Sequence, residues 1–279
     1  MIFGVALASL GTLFEEISSA ISKWELVRHR ESLFTCAFLN LFFAGLAFAV
    51  IALVYPASFT FALASLPTFA LRFVLEVFQV HTTIRALETG DRSTFSFLRV
   101  GTVPLLLLVD IIVGYAVGVR QMIGIAVIVI ALLVVFFERG ISRRGMRYMV
   151  LSTVNAVATI SLYKYNIAHF NSVVGDQLVM HALLLAYAFL FAYFVAAENP
   201  LRLLRQKAFF AQSVLQGIGG VLESYALGLA PASIIIAAKR SSAVLWGMFS
   251  GNFYFKEKHL ALKLGVFALL AGGIALLVA

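Results

Sequence analysis

Runs of about 20 apolar residues recur along almost the whole 279-residue chain, separated by short breaks that hold Pro, Gly and most of the charge. A helix of that length rises about 30 Å, the thickness of a bilayer's hydrocarbon core. Inside lipid each backbone N–H and C=O must be satisfied within its own helix or in a closed barrel. The runs are built of Leu, Ala, Ile, Val and Phe without the alternation of a barrel strand, so they read as helices. Composition agrees: 62% of residues are hydrophobic and 12% charged, against roughly half and a quarter in soluble domains.

The expected fold is an all-α membrane bundle of ten transmembrane helices. The spans fall near 2–25, 32–55, 68–87, 93–114, 120–137, 147–168, 174–197, 207–229, 232–254 and 260–278. Breaks at Tyr55-Pro56, Gly90-Asp91, Asn199-Pro200 and Ala230-Pro231 carry the turn residues that end helices. The most hydrophilic break, Glu138 to Arg144, lies at the midpoint. It divides the chain into a first five-helix repeat over 1–138, a basic linker over 139–146 and a second repeat over 147–279.

Internal similarity favours that division. At an offset of 140 or 141, Ser22-Lys23 falls on Tyr163-Lys164, Ala86-Leu87 on Ala226-Leu227, Arg99 on Lys239 and Gly124 on Gly265. An odd number of helices per half requires the second half to insert upside down. Inverted repeats are a common basis of alternating access in transporters.

The formal charge of +8 has a topological reading. Lys and Arg collect after odd-numbered helices, among them Arg28, Arg143, Arg202, Arg205 and Lys256, whereas the loops after even-numbered helices hold only Arg120. The positive-inside rule then puts the odd loops in the cytoplasm and both termini outside. Scatter over many loops argues against nucleic-acid binding. No cleavable signal peptide is expected, because the first apolar stretch lacks a basic n-region and carries Glu15 and Glu16. The expected location is the plasma membrane, the inner membrane of a bacterium. Cys36 is the single cysteine, so there is no internal disulfide, and no metal site or cofactor is expected.

Charge within a span is costly and marks candidate sites. Arg72 and Glu76 share one face of helix 3, and Gln212, Gln216 and Glu223 one face of helix 8. They read as cavity walls or as interhelical glue. Lys239 and Arg240 interrupt helix 9 between Ile234-Ile235-Ile236 and Ser241-Ser242. A cation there suits a carboxylate or phosphate, or else forms a structural salt bridge. Arg99 in helix 4 precedes Pro104, a residue that permits a kink or only packs. Glu15 and Glu16 are candidates for coupling or wetted residues near a helix end. Lys23 and Lys164 are gating candidates, or lysines that snorkel from helix ends. Asp110 is expected to pair with Arg120 or a neighbour, and His181 to be packed. Charge concentrates on helices 1, 3, 4, 6, 8 and 9, which are expected to line one polar interior.

The stretch Ala226-Leu227, Ala230-Pro231-Ala232-Ser233, Lys239-Arg240-Ser241-Ser242, Gly247, Phe255-Lys256-Glu257-Lys258, Leu264-Gly265 and Ala271-Gly272-Gly273 resembles the helix 8–10 segment of the drug/metabolite transporter superfamily, EamA type. The likeness extends more weakly through Ala86-Leu87, Pro104 and Gly124. An acidic residue usual after helix 4 is missing where Gly114 to Arg120 stand. The resemblance implies alternating-access transport of a small organic solute. It also implies that a basic pair in helix 9 meets an anionic substrate, as in the related organophosphate and nucleotide-sugar branches. It implies cytoplasmic termini in many members, against the charge count kept above.

The functional expectation is therefore a secondary transporter of a polar, anionic or zwitterionic metabolite. The alternative is a flippase for a lipid or lipid-linked substrate, or a transport accessory of the same fold. No Gly-x-Ser-x-Gly, His-Glu-x-x-His or Walker-type motif occurs, so an enzyme is not expected and no residue is assigned to catalysis. Expected partners are a small-molecule substrate and membrane lipid, with a homodimer compatible with the sequence and nucleic acid not expected.

Overall fold

A computed structural model describes residues 1–26, 32–89, 98–137, 145–255 and 260–278. Among them the regular structure is helical, and no strand occurs. The helices are α1 Ile2–Leu26, α2 Leu33–Val54, α3 Leu66–Thr89, α4 Thr102–Val113, α5 Val119–Phe137, α6 Met146–His169, α7 Val173–Phe194, α8 Lys207–Leu229, α9 Ala232–Phe255 and α10 Leu260–Val278. A one-turn helix, Pro200–Leu203, lies between α7 and α8, and short 3₁₀ turns at Pro56–Ser58 and Leu63–Ser65 join α2 to α3.

Among the described residues four segments are long and apolar enough to cross a membrane: Ile2–Ser19, Phe34–Val54, Pro56–Thr83 and Val173–Phe194. Val119–Val134 and Ala268–Leu277 are shorter apolar helices. The charges expected in the basic linker, Arg139, Arg143 and Arg144, lie outside the described residues.

Local chemistry sets several helix ends. Ser32 caps α2, and its hydroxyl accepts the Thr35 N–H. Ser172 caps α7 by accepting from the Gly175 N–H. Gly114 ends α4 in the left-handed region at φ 87°, where glycine carries no Cβ penalty. Pro104 sits in the first turn of α4, where its missing N–H would have had no helical partner. Residues 98–100 are helical too, and a turn at Gly101 separates them from α4, so the proline stands just after a break in the helical run.

The chain divides into two compact units that do not follow its midpoint. The first comprises Met1–Ser9, His81–Ser161 and Leu229–Ala279, and the second Leu10–Val80 and Leu162–Gly228. Helices α1, α3 and α6 contribute residues to both, and α8 gives its last residue, Leu229, to the first.

In the second unit α2 packs along α7. Ala37, Phe38 and Ala188 form one buried cluster with Phe42 and Phe189 against it, and Phe69, Met180 and Leu184 form another. Gly45 lets the two helices approach: a Cβ there would lie 2.9 Å from the Leu185 side chain and 3.3 Å from the His181 Cβ. His181 is packed as expected, its ring 5.6 Å from that of Phe48 and its Nδ1 2.8 Å from the Gln177 carbonyl.

In the first unit α5 packs along α10, and α9 contacts α4, α5 and α10. A Cβ on Gly124 would meet the Gly273 carbonyl at 2.9 Å, so the α5–α10 contact rests on small residues. Gly265, matched to Gly124 by the sequence offset, has open space around it. Residues 232–238 of α9 are buried without interruption, which marks a helix enclosed on every side.

Candidate functional site

The sequence-derived candidates divide between the units. Arg72, Glu76, Gln216, Glu223, Glu15, Glu16, Lys23 and Lys164 belong to the second, and Arg99, Lys239 and Arg240 to the first.

In the second unit Arg72 is buried and its guanidinium donates to Asp176, which is fully buried in the first turn of α7. Glu76, one turn along α3, lies 3.6 Å from Arg72 Nε. The guanidinium also sits over the Tyr163 ring, 4.5 Å from its centroid, a cation–π arrangement. Asn171 donates to the second oxygen of Asp176 at 3.1 Å, and the amino end of α7 adds a favourable dipole. Arg72 thus already faces two carboxylates, and its first role is to tie α3 to α7.

Asn171 and Ser172 extend the tie to the α2–α3 connection. Asn171 Oδ1 accepts the Ala62 N–H, Ser172 Oγ accepts the Thr60 N–H, and the Thr60 carbonyl accepts the Ser172 N–H, each at 2.9 Å. Thr68 donates to Asn166 at 2.6 Å.

Lys164 does not snorkel. It is buried, and its ammonium donates to the Leu227 carbonyl at 2.6 Å. Leu227 lies in the last turn of α8, where carbonyls lack helical partners and a cation meets the negative end of the dipole. Glu15 and Glu16 are half-buried on α1. Glu15 packs on α8 at Gly219, where an added Cβ would lie 2.6 Å from the Glu15 Cγ and 2.8 Å from the Gly11 carbonyl. Glu223 is one turn beyond Gly219, and Gln216 lies on the same helix; both are half-buried. Gln212 is buried, with its Nε2 3.4 Å from Asn40 Oδ1. The side chain of Lys23 lies outside the described residues.

In the first unit Arg99 Nη2 is 3.2 Å from both Thr83 Oγ1 and Ser152 Oγ, and these hydroxyls are 2.9 Å apart. Lys239 and Arg240 are half-buried and directly follow the enclosed run of α9. Lys239 shares a helix face with Ser242 and Trp246 by spacing. That face meets α1: Ser242 and Ser9 hydroxyls are 2.8 Å apart, and the Trp246 indole donates to the Ser9 carbonyl at 3.1 Å.

Asp110 is buried, and its carboxylate accepts the Ser233 N–H at 2.7 Å rather than pairing with Arg120, which is exposed. It serves the amino-terminal turn of α9, where a carboxylate is favoured. No group of three or more His, Cys, Asp or Glu among the described residues is placed to hold a metal ion.

No protein-family model matches this chain. No curated protein matches it either. A solved structure described as "Crystal structure of protein" is similar in fold, with a TM-score of 0.67 and 14% sequence identity over 98% of this chain and 96% of that one. At that identity the likeness concerns the fold alone.

Proposed function

We propose that this chain is a multi-pass membrane transporter of the drug/metabolite type, EamA-like, that moves a small anionic or zwitterionic metabolite by alternating access. The observation that carries the reading is the placement of Lys239 and Arg240, half-buried and directly after seven enclosed residues of α9. A cation held at such depth is costly unless it meets a negative group, and a transported carboxylate or phosphate is one. Arg99, donating to two hydroxyls in the same unit, adds a third positive group with a fixed orientation.

The helix pairing accords with ten spans in two inverted five-helix repeats. Corresponding helices of such repeats are α2 with α7 and α5 with α10, and each of these pairs packs together within its own unit. A pseudo-two-fold axis between repeats brings equivalent helices together in this way. In this reading Glu15 and Glu16 are coupling groups, and both termini lie outside the plasma membrane.

The test is thermal stabilisation of purified protein across anionic, zwitterionic and cationic metabolites, with Lys239→Gln and Arg240→Gln as comparisons. The expected result is an anionic or zwitterionic solute that raises the melting temperature of the wild type and of neither variant. If no solute does so, or the shift survives both substitutions, the basic pair is structural. A lipid-linked substrate then becomes the stronger reading.

A further inference from the structure

The connection from Phe194 to Lys207 follows directly on Val173–Phe194, a helix long and apolar enough to cross a membrane. It therefore stands where hydrocarbon gives way to headgroups and water. Asn199 caps the one-turn helix Pro200–Leu203, with its Oδ1 3.4 Å from the Arg202 N–H. Asn199, Leu201, Arg202 and Arg205 line an open hollow of about 320 Å³.

Both arginines are exposed, and among the described residues neither guanidinium pairs with a carboxylate. The acid next to the hollow in sequence, Glu198, is turned to other work. Its oxygens accept the Ser32 N–H at 3.0 Å, the Ser32 hydroxyl at 2.6 Å and the Thr35 hydroxyl, at the amino end of α2. Arg202 and Arg205 thus present two planar donor forks to whatever enters.

Apolar surface adjoins the same place. Leu201 lines the hollow and is exposed, and Phe194 and Val195, shortly before it in the chain, are exposed as well. Cationic forks next to exposed apolar side chains at the end of a membrane-length helix match an amphiphile with a phosphate head and hydrocarbon tails. A soluble anion would use the arginines and leave the apolar flank unmatched.

We propose that this hollow binds the phosphate headgroup of an anionic phospholipid, with Arg202 and Arg205 donating to phosphate oxygens and the acyl chains lying along Phe194 and Leu201. The site is separate from Lys239 and Arg240, and it requires a membrane-embedded chain but not transport.

The experiment is native mass spectrometry of the full chain in detergent, titrated with phosphatidylglycerol or phosphatidylcholine. Variants are R202Q/R205Q, R202K/R205K and, as an exposed control, R120Q. Wild type and R120Q are expected to retain phosphatidylglycerol in preference to phosphatidylcholine. R202Q/R205Q is expected to lose that preference by roughly tenfold. R202K/R205K, which keeps charge but not the fork, falls between. A parallel melting curve without lipid is expected to be unchanged in all three, since the replaced side chains are exposed. Equal retention of the two lipids by wild type, or an undiminished preference in R202Q/R205Q, overturns the proposal. So does stabilisation of wild type by inorganic phosphate at the same concentration that R202Q/R205Q abolishes, which would make this a site for a soluble anion. A failure of the Lys239 and Arg240 test leaves this result unaffected.

Discussion

Arg72 in α3 and Asp176 in α7, 104 residues apart in the chain, meet as a buried ion pair. Taking each charge out of water costs several kcal/mol, and the attraction offsets this only when the remaining groups are satisfied. Here Asn171 holds the second carboxylate oxygen and the Tyr163 ring covers the guanidinium.

Removing one member of that pair strands the other. Asp176→Asn is expected to cost about 3–5 kcal/mol of stability. Glu76→Gln is expected to cost under about 1 kcal/mol, because a partly solvated pair contributes little. Its carboxylate is 3.6 Å from Arg72 Nε, and the side chain is 24% exposed. Unfolding in mixed micelles measures both. Equal losses would show that Glu76 balances the Arg72 charge as much as Asp176 does.

Glycines divide by what surrounds them. An added Cβ at Gly175 would overlap the Thr60 carbonyl, a backbone atom held by the Ser172 bonds. Gly175→Ala should destabilise by about 1–3 kcal/mol or more. Gly272 has nothing within 4 Å of such a Cβ. Gly272→Ala should therefore be neutral or stabilise by about 0.5–1 kcal/mol, the usual gain for alanine in a helix. Melting temperatures of the two variants check the contrast, and a tolerated Gly175→Ala would refute the tight contact with Thr60.

The carboxylate of Asp110 holds the first turn of α9, the helix that carries Lys239 and Arg240. Asp110→Ala should cost about 1–2 kcal/mol, as loss of a helix cap does. The local sign is faster hydrogen exchange at the Ser233 amide, with the amides of α5 unchanged. Protection at Ser233 that survives the substitution would mean another acceptor serves that turn.

Helix extents were legible because the signals are local. The expected span 207–229 coincides with α8, and 32–55 differs from α2 by one residue at each end. The helix 3 pairing of Arg72 with Glu76 was also legible, since four residues apart on a helix means adjacent. The chief partner of Arg72 was not. Asp176 follows an Asn-Ser helix start, a signal that locates the beginning of α7 and says nothing of what faces it. Lys164 looked like a lysine near a helix end, and only the fold shows Leu227 beside it. Glu198 likewise read as part of a polar break, and its bonds to Ser32 and Thr35 reach back across more than 160 residues.

The sequence by itself determined that this chain is helical and apolar enough for lipid, because helix formation and burial in hydrocarbon depend on composition over a single run of residues. Tertiary structure decided which polar groups satisfy one another. In an apolar bundle a buried charge takes whichever opposite charge or carbonyl the packing brings within reach, and packing here joins segments that no local pattern links. The same holds for the two compact units, which each gather helices from both halves of the chain.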